Sequence, residues 1–290
     1  MRDPVSDKPL LRRRAAIATM HGKEAAIAPV LERRPGLRLI VPEHIDTDSL
    51  GTFTGDTPRR GTVLETAIAK AHLGMSQAGV TAGIANEGTY GAHPVLPIAP
   101  GGSELIVYVD DELGVQVHEA MIVEKTNFAH LNVTPGEDVT AFLASIGFPA
   151  HGVVVSPHAP QSTDAIYVKG IRDHATLDDA IAKAANHSAD NAVLIQTDMR
   201  AHMNPTRMDA IAMLTEKLAA RLESPCPNCA APGFGQVDRK TGLPCRDCGG
   251  PSTLVRVEVH GCGACDCRQE VARQDGLRVS DPTYCLICNP

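Results

Sequence analysis

All nine cysteines of this 290-residue chain lie between Cys226 and Cys288. Eight of them form four Cys-x-x-Cys pairs: Cys226/Cys229, Cys245/Cys248, Cys262/Cys265 and Cys285/Cys288. Two thiolates three positions apart on a tight turn can grip one tetrahedral ion, and a second such turn closes the site. Fifteen residues separate the first pair from the second and nineteen the third from the fourth, and both gaps suit four-cysteine zinc sites. The segment is therefore expected to hold two structural Zn²⁺ ions. The simplest pairing is sequential, first pair with second and third with fourth. A crossed pairing, first with third and second with fourth, is the alternative. Cys267 is left over, either a bystander or a substitute for Cys265, and His260 reads as an ordinary strand histidine before it reads as a ligand. Closed four-thiolate sites leave no open position for water, so the ions read as scaffold. A module this small has little core and is expected to unfold without metal.

Disulfides are the competing use of so many cysteines. They need an export signal, and the apolar run from Ala15 to Met20 is too short for one, being broken by His21, Lys23 and Glu24. No run approaches the ~18 apolar residues of a membrane span. The expectation is a cytoplasmic protein with no membrane partner. The formal net charge of −7 gives no general attraction to nucleic acid. From Glu223 to Pro290 seven Lys and Arg face eight Asp and Glu, with Phe234 and Tyr284 the only aromatics. That stretch lacks the basic, stacking face of a nucleic-acid binder, so a protein contact or simple domain closure is the better use of it.

Ser224-Pro225 marks a boundary, giving a disordered leader (1–13), an α/β domain (14–223) and the cysteine-rich double zinc module (224–290). Apolar residues make up 43% and aromatics 3%, without Trp, so the core must be built from Ala, Val, Ile, Leu and Met. Strands are expected over 15–20, 37–41, 81–85, 105–109, 115–123, 152–156, 165–168 and 192–197. Helices are expected over 23–31, 62–75, 176–185 and 204–222. Residues 105–123 read as a hairpin, 45–61 and 86–100 as loops, and Thr134-Pro135-Gly136-Glu137 as a helix start. Alternation of this kind predicts a three-layer α/β domain with a mixed, largely parallel sheet, followed by a small zinc-ribbon-like module.

Three polar clusters fall where strands end or helices begin, the places where open α/β sheets gather ligands. Thr19-Met20-His21-Gly22-Lys23-Glu24 follows the first strand and puts backbone N–H groups and Lys23 where a phosphate would sit; a surface lysine at a helix start is the plain alternative. Asp46, Asp48 and Asp56 share one loop with Thr52, Thr54, Arg59 and Arg60, a set that suits a hard cation or an ordinary polar loop. Glu65, three residues after Thr62, is either an acidic ligand or half of a capping box. Glu87, between Asn86 and Gly88 at a strand terminus, is a better site candidate. Asp198, Arg200, His202 and Arg207 crowd the start of the last helix, an anion site by charge and dipole.

The whole chain resembles an uncharacterised bacterial family, through Thr19–Glu24, Asn86–Gly91, Thr197–His202, Asn204–Met208 and the closing Cys285–Pro290. A more distant likeness carries chemistry. The order of motifs is similar to that of the inosine/xanthosine triphosphate pyrophosphatases. Ala18-Thr19 leads to Lys23, a helix runs from Thr62 through Glu65 to Lys70-Ala71, a strand ends in Asn86-Glu87-Gly88, and a basic segment runs from Arg200-Ala201-His202 to Arg207. Met20-His21 stands where those enzymes have Asn. The resemblance implies Mg²⁺ on Glu65, Glu87 as metal ligand or base, and phosphates gripped by Lys23, Lys70, Arg200 and Arg207; the polar clusters themselves add Asp48 as a further catalytic acid, Thr19 and His202 as further phosphate ligands, and Mn²⁺ as the alternative ion. The expected activity is divalent-metal-dependent hydrolysis of a nucleotide or other phosphoanhydride. The alternative is a phosphate-ligand-binding or adaptor protein that does no chemistry and docks a partner through its zinc module.

Overall fold

The computed structural model describes residues 9–51, 61–162 and 166–290. Its first sheet is built from β1 (Arg14–Ile17), α1 (Glu24–Arg33), β2 (Arg38–Ile40), α2 (Val63–Ala78), β3 (Ala82–Ala92), β4 (Pro100–Asp110) and β5 (Val115–Val123). The strand order is β2-β1-β3-β4-β5. β1 pairs parallel with β2 and β3, whereas β3, β4 and β5 form an antiparallel meander, so the sheet is mixed.

A second unit comprises β6 (His130–Val133), α3 (Thr140–Ile146), β7 (Val153–Pro157), β8 (Val168–Ile171), α4 (His174–Ala185) and β9 (Val193–Thr197). Its strands make a separate antiparallel sheet, β6-β9-β7-β8, whose core includes Leu143, Leu177 and Ile181 from α3 and α4. The chain then returns to the first sheet as α5 (Pro205–Leu222) and ends in an antiparallel sheet of β10 (Gly235–Thr241), β11 (Val255–Gly261) and β12 (Arg268–Ala272).

The first sheet is the middle of three layers. Alternate residues of a strand face opposite ways. Ile84, Ile106 and Tyr108 therefore pack with Ile27 and Leu31 of α1 and Ile211, Leu214 and Leu218 of α5. Ala85, Val107 and Val109 pack on the other side against Ala67, Ala71 and Met75 of α2. Local chemistry sets the helix ends. Thr62 and Glu65 form a full capping box on α2, and Gly79 ends it at a φ of 61°. Asn204 caps α5 by accepting from the Arg207 N–H, with Pro205 in the first turn.

Four expectations are corrected. The loop read over 86–100 is largely strand, because β3 runs to Ala92 and pairs with β4 back to Pro100. The Thr134 motif is a turn: its hydroxyl donates to Glu137 Oε1 at 2.7 Å and the helix begins only at Thr140. The strand expected over 165–168 is found at Val168–Ile171. Of the supposed leader, residues 1–8 lie outside the described residues, whereas Leu10 is buried in the core, Arg12 N donates to Gly36 O and Arg13 pairs with Asp110. Among the described residues no helix is long and apolar enough to cross a membrane.

Candidate ligand cleft and cysteine clusters

β1 stops while β3 continues, and the cleft lies at that step. The last β1 pair is Ile17 with Ile84, after which Ala18 N donates to Ile84 O at 2.9 Å. A further step of two residues would bring the residue 20 N–H to Asn86 O. Instead the chain turns away at Thr19, and the Lys23 ammonium donates to Asn86 O at 2.5 Å. Thr19, Lys23, Asp48, Lys70, Glu87 and Arg207 all line the cleft. These six sequence candidates come from the end of β1 and the middle of β3, from the N-cap of α1, from α2 and α5, and from the turn after β2.

Each face of the sheet supplies one buried ion pair. Glu87 points toward α2, where its Oε1 meets Lys70 Nζ at 2.6 Å, and Lys70 also donates to Gly51 O at 3.3 Å. Glu104 points toward α5, where its Oε1 accepts from Arg207 Nε at 2.7 Å. The same carboxylate accepts from Asn86 Nδ2 at 2.9 Å and from the Tyr90 hydroxyl at 2.8 Å. Burial alone would raise the Glu104 pKa, but Arg207, Lys23 and Asn86 outweigh it and hold it below the usual carboxylate range. Burial, followed by Glu104, pushes the Tyr90 phenol upward and keeps it a donor. Gly88 lies against this pair: a Cβ there would stand 2.5 Å from both Arg207 Nη2 and Glu104 Oε1. Asn86 Oδ1 is buried and has no hydrogen-bond partner among the described residues.

Lys23 is held by a main-chain carbonyl, unlike Lys70 and Arg207 with their carboxylates. Burial first, then the nearby Arg207 and Lys70, lower its pKa from the ordinary 10.5 to about 8, against the opposing pull of Glu87 and Glu104. The turn that delivers it is closed by Thr19, whose Oγ1 accepts from the His21 and Lys23 N–H groups at 3.2 and 3.3 Å. Thr19 thus spends its acceptor capacity on the turn, and the cation here is the Lys23 side chain.

Of the third cluster only Arg207 lines the cleft; Asp198, Arg200 and His202 are not among its lining residues. His202 stacks on His21 with ring centroids 5.2 Å apart, and His21 Nε2 lies 3.5 Å from Asp48 Oδ1. Burial, then Lys23, His202 and Arg200, lower the His21 pKa to about 4 against the pull of Asp48, so the ring is neutral at pH 7. Arg200 is clamped by Asp198, Nη2 to Oδ2 at 2.6 Å. Glu65 stands apart: it is exposed and its carboxylate accepts from the Thr62 N–H at 2.7 Å. Thr52, Thr54, Asp56, Arg59 and Arg60 lie outside the described residues. Sequence reasoning missed Glu104 and Tyr90. Glu104 was marked only as a lone acid heading an apolar strand, a pattern that calls for a buried partner.

The cysteines form two groups that can hold a metal ion, Cys226/Cys229/Cys262/Cys265 and Cys245/Cys248/Cys285/Cys288. The pairing is crossed, so the simple sequential pairing gives way. The cause is the β10–β11–β12 sheet, which sets the first knuckle beside the third and leaves the second to meet the fourth. Sulfur–sulfur distances of 3.8 and 3.7 Å in one group and 3.9 and 3.6 Å in the other match the about 3.8 Å edge of a tetrahedron with Zn–S bonds of about 2.3 Å. Backbone N–H groups of Ala264 and Gly250 point at Cys262 and Cys248 sulfurs at 3.3 and 3.4 Å. Cys267 and His260 belong to neither group; His260 faces Glu258 at 3.4 Å. Among the described residues these are the only sets of three or more His, Cys, Asp or Glu that converge in this way.

The architecture defines a mixed α/β protein with a polar cleft at a broken sheet edge and a C-terminal pair of four-cysteine clusters. The chain belongs to the family described as Domain of unknown function (DUF6671), which matches residues 70–290. That span holds Lys70, Glu87, Glu104, Arg207 and both cysteine clusters, and begins after Thr19 and Lys23. No curated protein and no solved structure matches the chain.

Proposed function

We propose that the cleft binds a phosphorylated small molecule and hydrolyses its phosphoanhydride, and that both cysteine clusters carry structural Zn²⁺. The observation that supports the cleft reading is the convergence of three buried basic side chains, Lys23, Lys70 and Arg207, with the buried Glu87 and Glu104 paired to two of them and Asp48 on the lining. Burying charge costs several kcal/mol per ion before pairing returns any of it. A fold has no structural need for five such groups at one strand end. An anion entering here would exchange its hydration for preorganised donors. Mg²⁺ or Mn²⁺, arriving with the substrate phosphates, would be held by Glu87 and Asp48 and would neutralise developing charge. Zinc held by unpaired thiolates suits a reducing compartment, and we place the protein in the cytoplasm on that ground.

The test is phosphate and pyrophosphate release from a panel of normal and damaged nucleotides with Mg²⁺ or Mn²⁺. Glu87→Gln is expected to abolish release with its circular dichroism spectrum unchanged. Full activity in that variant would sink the assignment. A second reading, binding without chemistry, is favoured by one observation: both cleft glutamates already sit on buried cations, at 2.6 and 2.7 Å. Saturable ligand binding with no product from any nucleotide would select it. Under that reading the zinc module docks a protein partner through its exposed Leu286 and Ile287, which lie between two cysteines of the second cluster.

A further inference from the structure

The three buried cations of the cleft are not equivalent. Lys70 and Arg207 each meet a carboxylate. Lys23 donates to the Asn86 carbonyl, a neutral acceptor that an uncharged amine satisfies equally well. The same asparagine carries a buried side-chain Oδ1 that has no donor among the described residues. An amine that can lose its proton without breaking an ion pair, next to an acceptor still lacking an O–H or N–H, is the arrangement a carbonyl-trapping lysine needs.

We propose that Lys23 is a nucleophilic amine that forms an imine with a phosphorylated aldehyde or ketone bound in this cleft. The inference rests on the phosphate-binding half of the function proposed above and is independent of hydrolysis. The Nζ lone pair adds to the carbonyl carbon while the carbonyl π pair moves to oxygen, which takes a proton from Nζ. The resulting carbinolamine hydroxyl has Asn86 Oδ1 as its acceptor. Loss of that oxygen with the second Nζ hydrogen gives one water and the C=N bond, so amine plus carbonyl balances imine plus water with no oxidant or reductant. The cationic neighbours serve both partners of the reaction: Arg207 and Lys70 disfavour a third positive charge on Lys23 and attract the phosphate of the substrate. With Lys23 near 8, roughly a tenth of it is neutral at pH 7.

The experiment uses the full chain, with pyridoxal 5′-phosphate and phosphate-free pyridoxal as probes, each trapped with borohydride and mapped by peptide mass spectrometry. One reduced adduct per chain is expected, on Lys23, with at least a tenfold preference over the exposed Lys183 and Lys240. It should be lost in Lys23→Arg and reduced by inorganic phosphate. Because the adduct is located in the wild-type chain, the result stands even if the variant folds poorly. Label confined to exposed lysines, or undiminished in a folded Lys23→Arg, overturns the proposal and leaves the nucleotide assay untouched. Equal labelling of Lys23 by both probes overturns the phosphorylated class, and with it the phosphate-binding reading beneath.

Discussion

Replacing Lys23 by Met should make the protein more stable at neutral pH, and the gain should vanish in alkali. Lys23 is buried, and its pKa is lowered from 10.5 to about 8, chiefly by burial and then by Arg207. Between those values the unfolded chain binds more protons than the folded one, so stability rises with pH from about 8 to about 10.5. Below pH 8 the whole penalty is present, about 3 kcal/mol at about 1.4 kcal/mol per pKa unit. Met keeps the length of the side chain, removes the charge and leaves Asn86 O without its donor, a loss of about 1 kcal/mol. The net expectation is about 2 kcal/mol of stabilisation at pH 7. At pH 10 the remaining penalty is about 1 kcal/mol and the gain is near zero. The chain has no Trp, so the assay is urea unfolding followed by far-ultraviolet circular dichroism, wild type against variant, in zinc-replete buffer. A variant less stable than wild type at pH 7, or a difference that does not shrink by pH 10, would refute the account of Lys23 as a functional group held at the expense of the fold.

The buried pair on the other face behaves oppositely. Glu104→Gln leaves the Arg207 guanidinium buried without its counter-charge and should cost about 3–5 kcal/mol in the same unfolding assay. Glu104→Leu combined with Arg207→Met should cost less than either change alone; strictly additive losses would contradict the pairing. Gly88→Ala forces a methyl against both groups and should destabilise by about 1–3 kcal/mol, whereas an unchanged melting temperature would mean the strand can shift. Crossed metal sites make a stoichiometric prediction. Cys226→Ser with Cys262→Ser damages one cluster and should leave one zinc per chain, while Cys226→Ser with Cys245→Ser damages both and should leave none. Sequential pairing gives the reverse, and elemental analysis decides.

What the sequence made legible follows the range of the interactions involved. The α5 cap at Asn204-Pro205, the Thr62–Glu65 capping box and the β4–β5 hairpin are written within a few residues, and the structure has them where the sequence implied. Thr134-Pro135-Gly136-Glu137 carries the same local signs as a helix start, yet Gly136 takes a φ of 93° and turns the chain instead. The Gly-rich run from Asn86 to Ala92 read as loop because glycine is a weak strand former. It is strand because β4 pairs with it along its whole length, a contact no local window contains. The cleft was half legible for the same reason. Lys23, Glu87 and Arg207 stood out at expected element ends and Lys70 through the motif order, while Glu104 could be recognised only once α5 brought Arg207, 103 residues away, onto its face of the sheet. Cysteine spacing identifies the ligands and leaves their partners open, because every pair has the same two-residue bite.

The two chemically distinctive parts of the molecule are joined through α5. At its first turn Asn204 caps the helix and Arg207 reaches Glu104 and Met199 O in the cleft. Eighteen residues run from Pro205 to Leu222, about 27 Å of helix at 1.5 Å per residue. At the far end Arg221 is buried and donates to Gly233 O at 3.1 Å, within the first cysteine-bearing loop, and to His118 O of β5 at 2.8 Å. Gln116 N of β5 donates to Gly263 O, between two cysteines of the same cluster. The first cluster therefore fastens the end of α5 to the edge of the sheet whose other end forms the cleft. An ion held by the first cluster would tie down the last turn of α5, where a helix end otherwise frays.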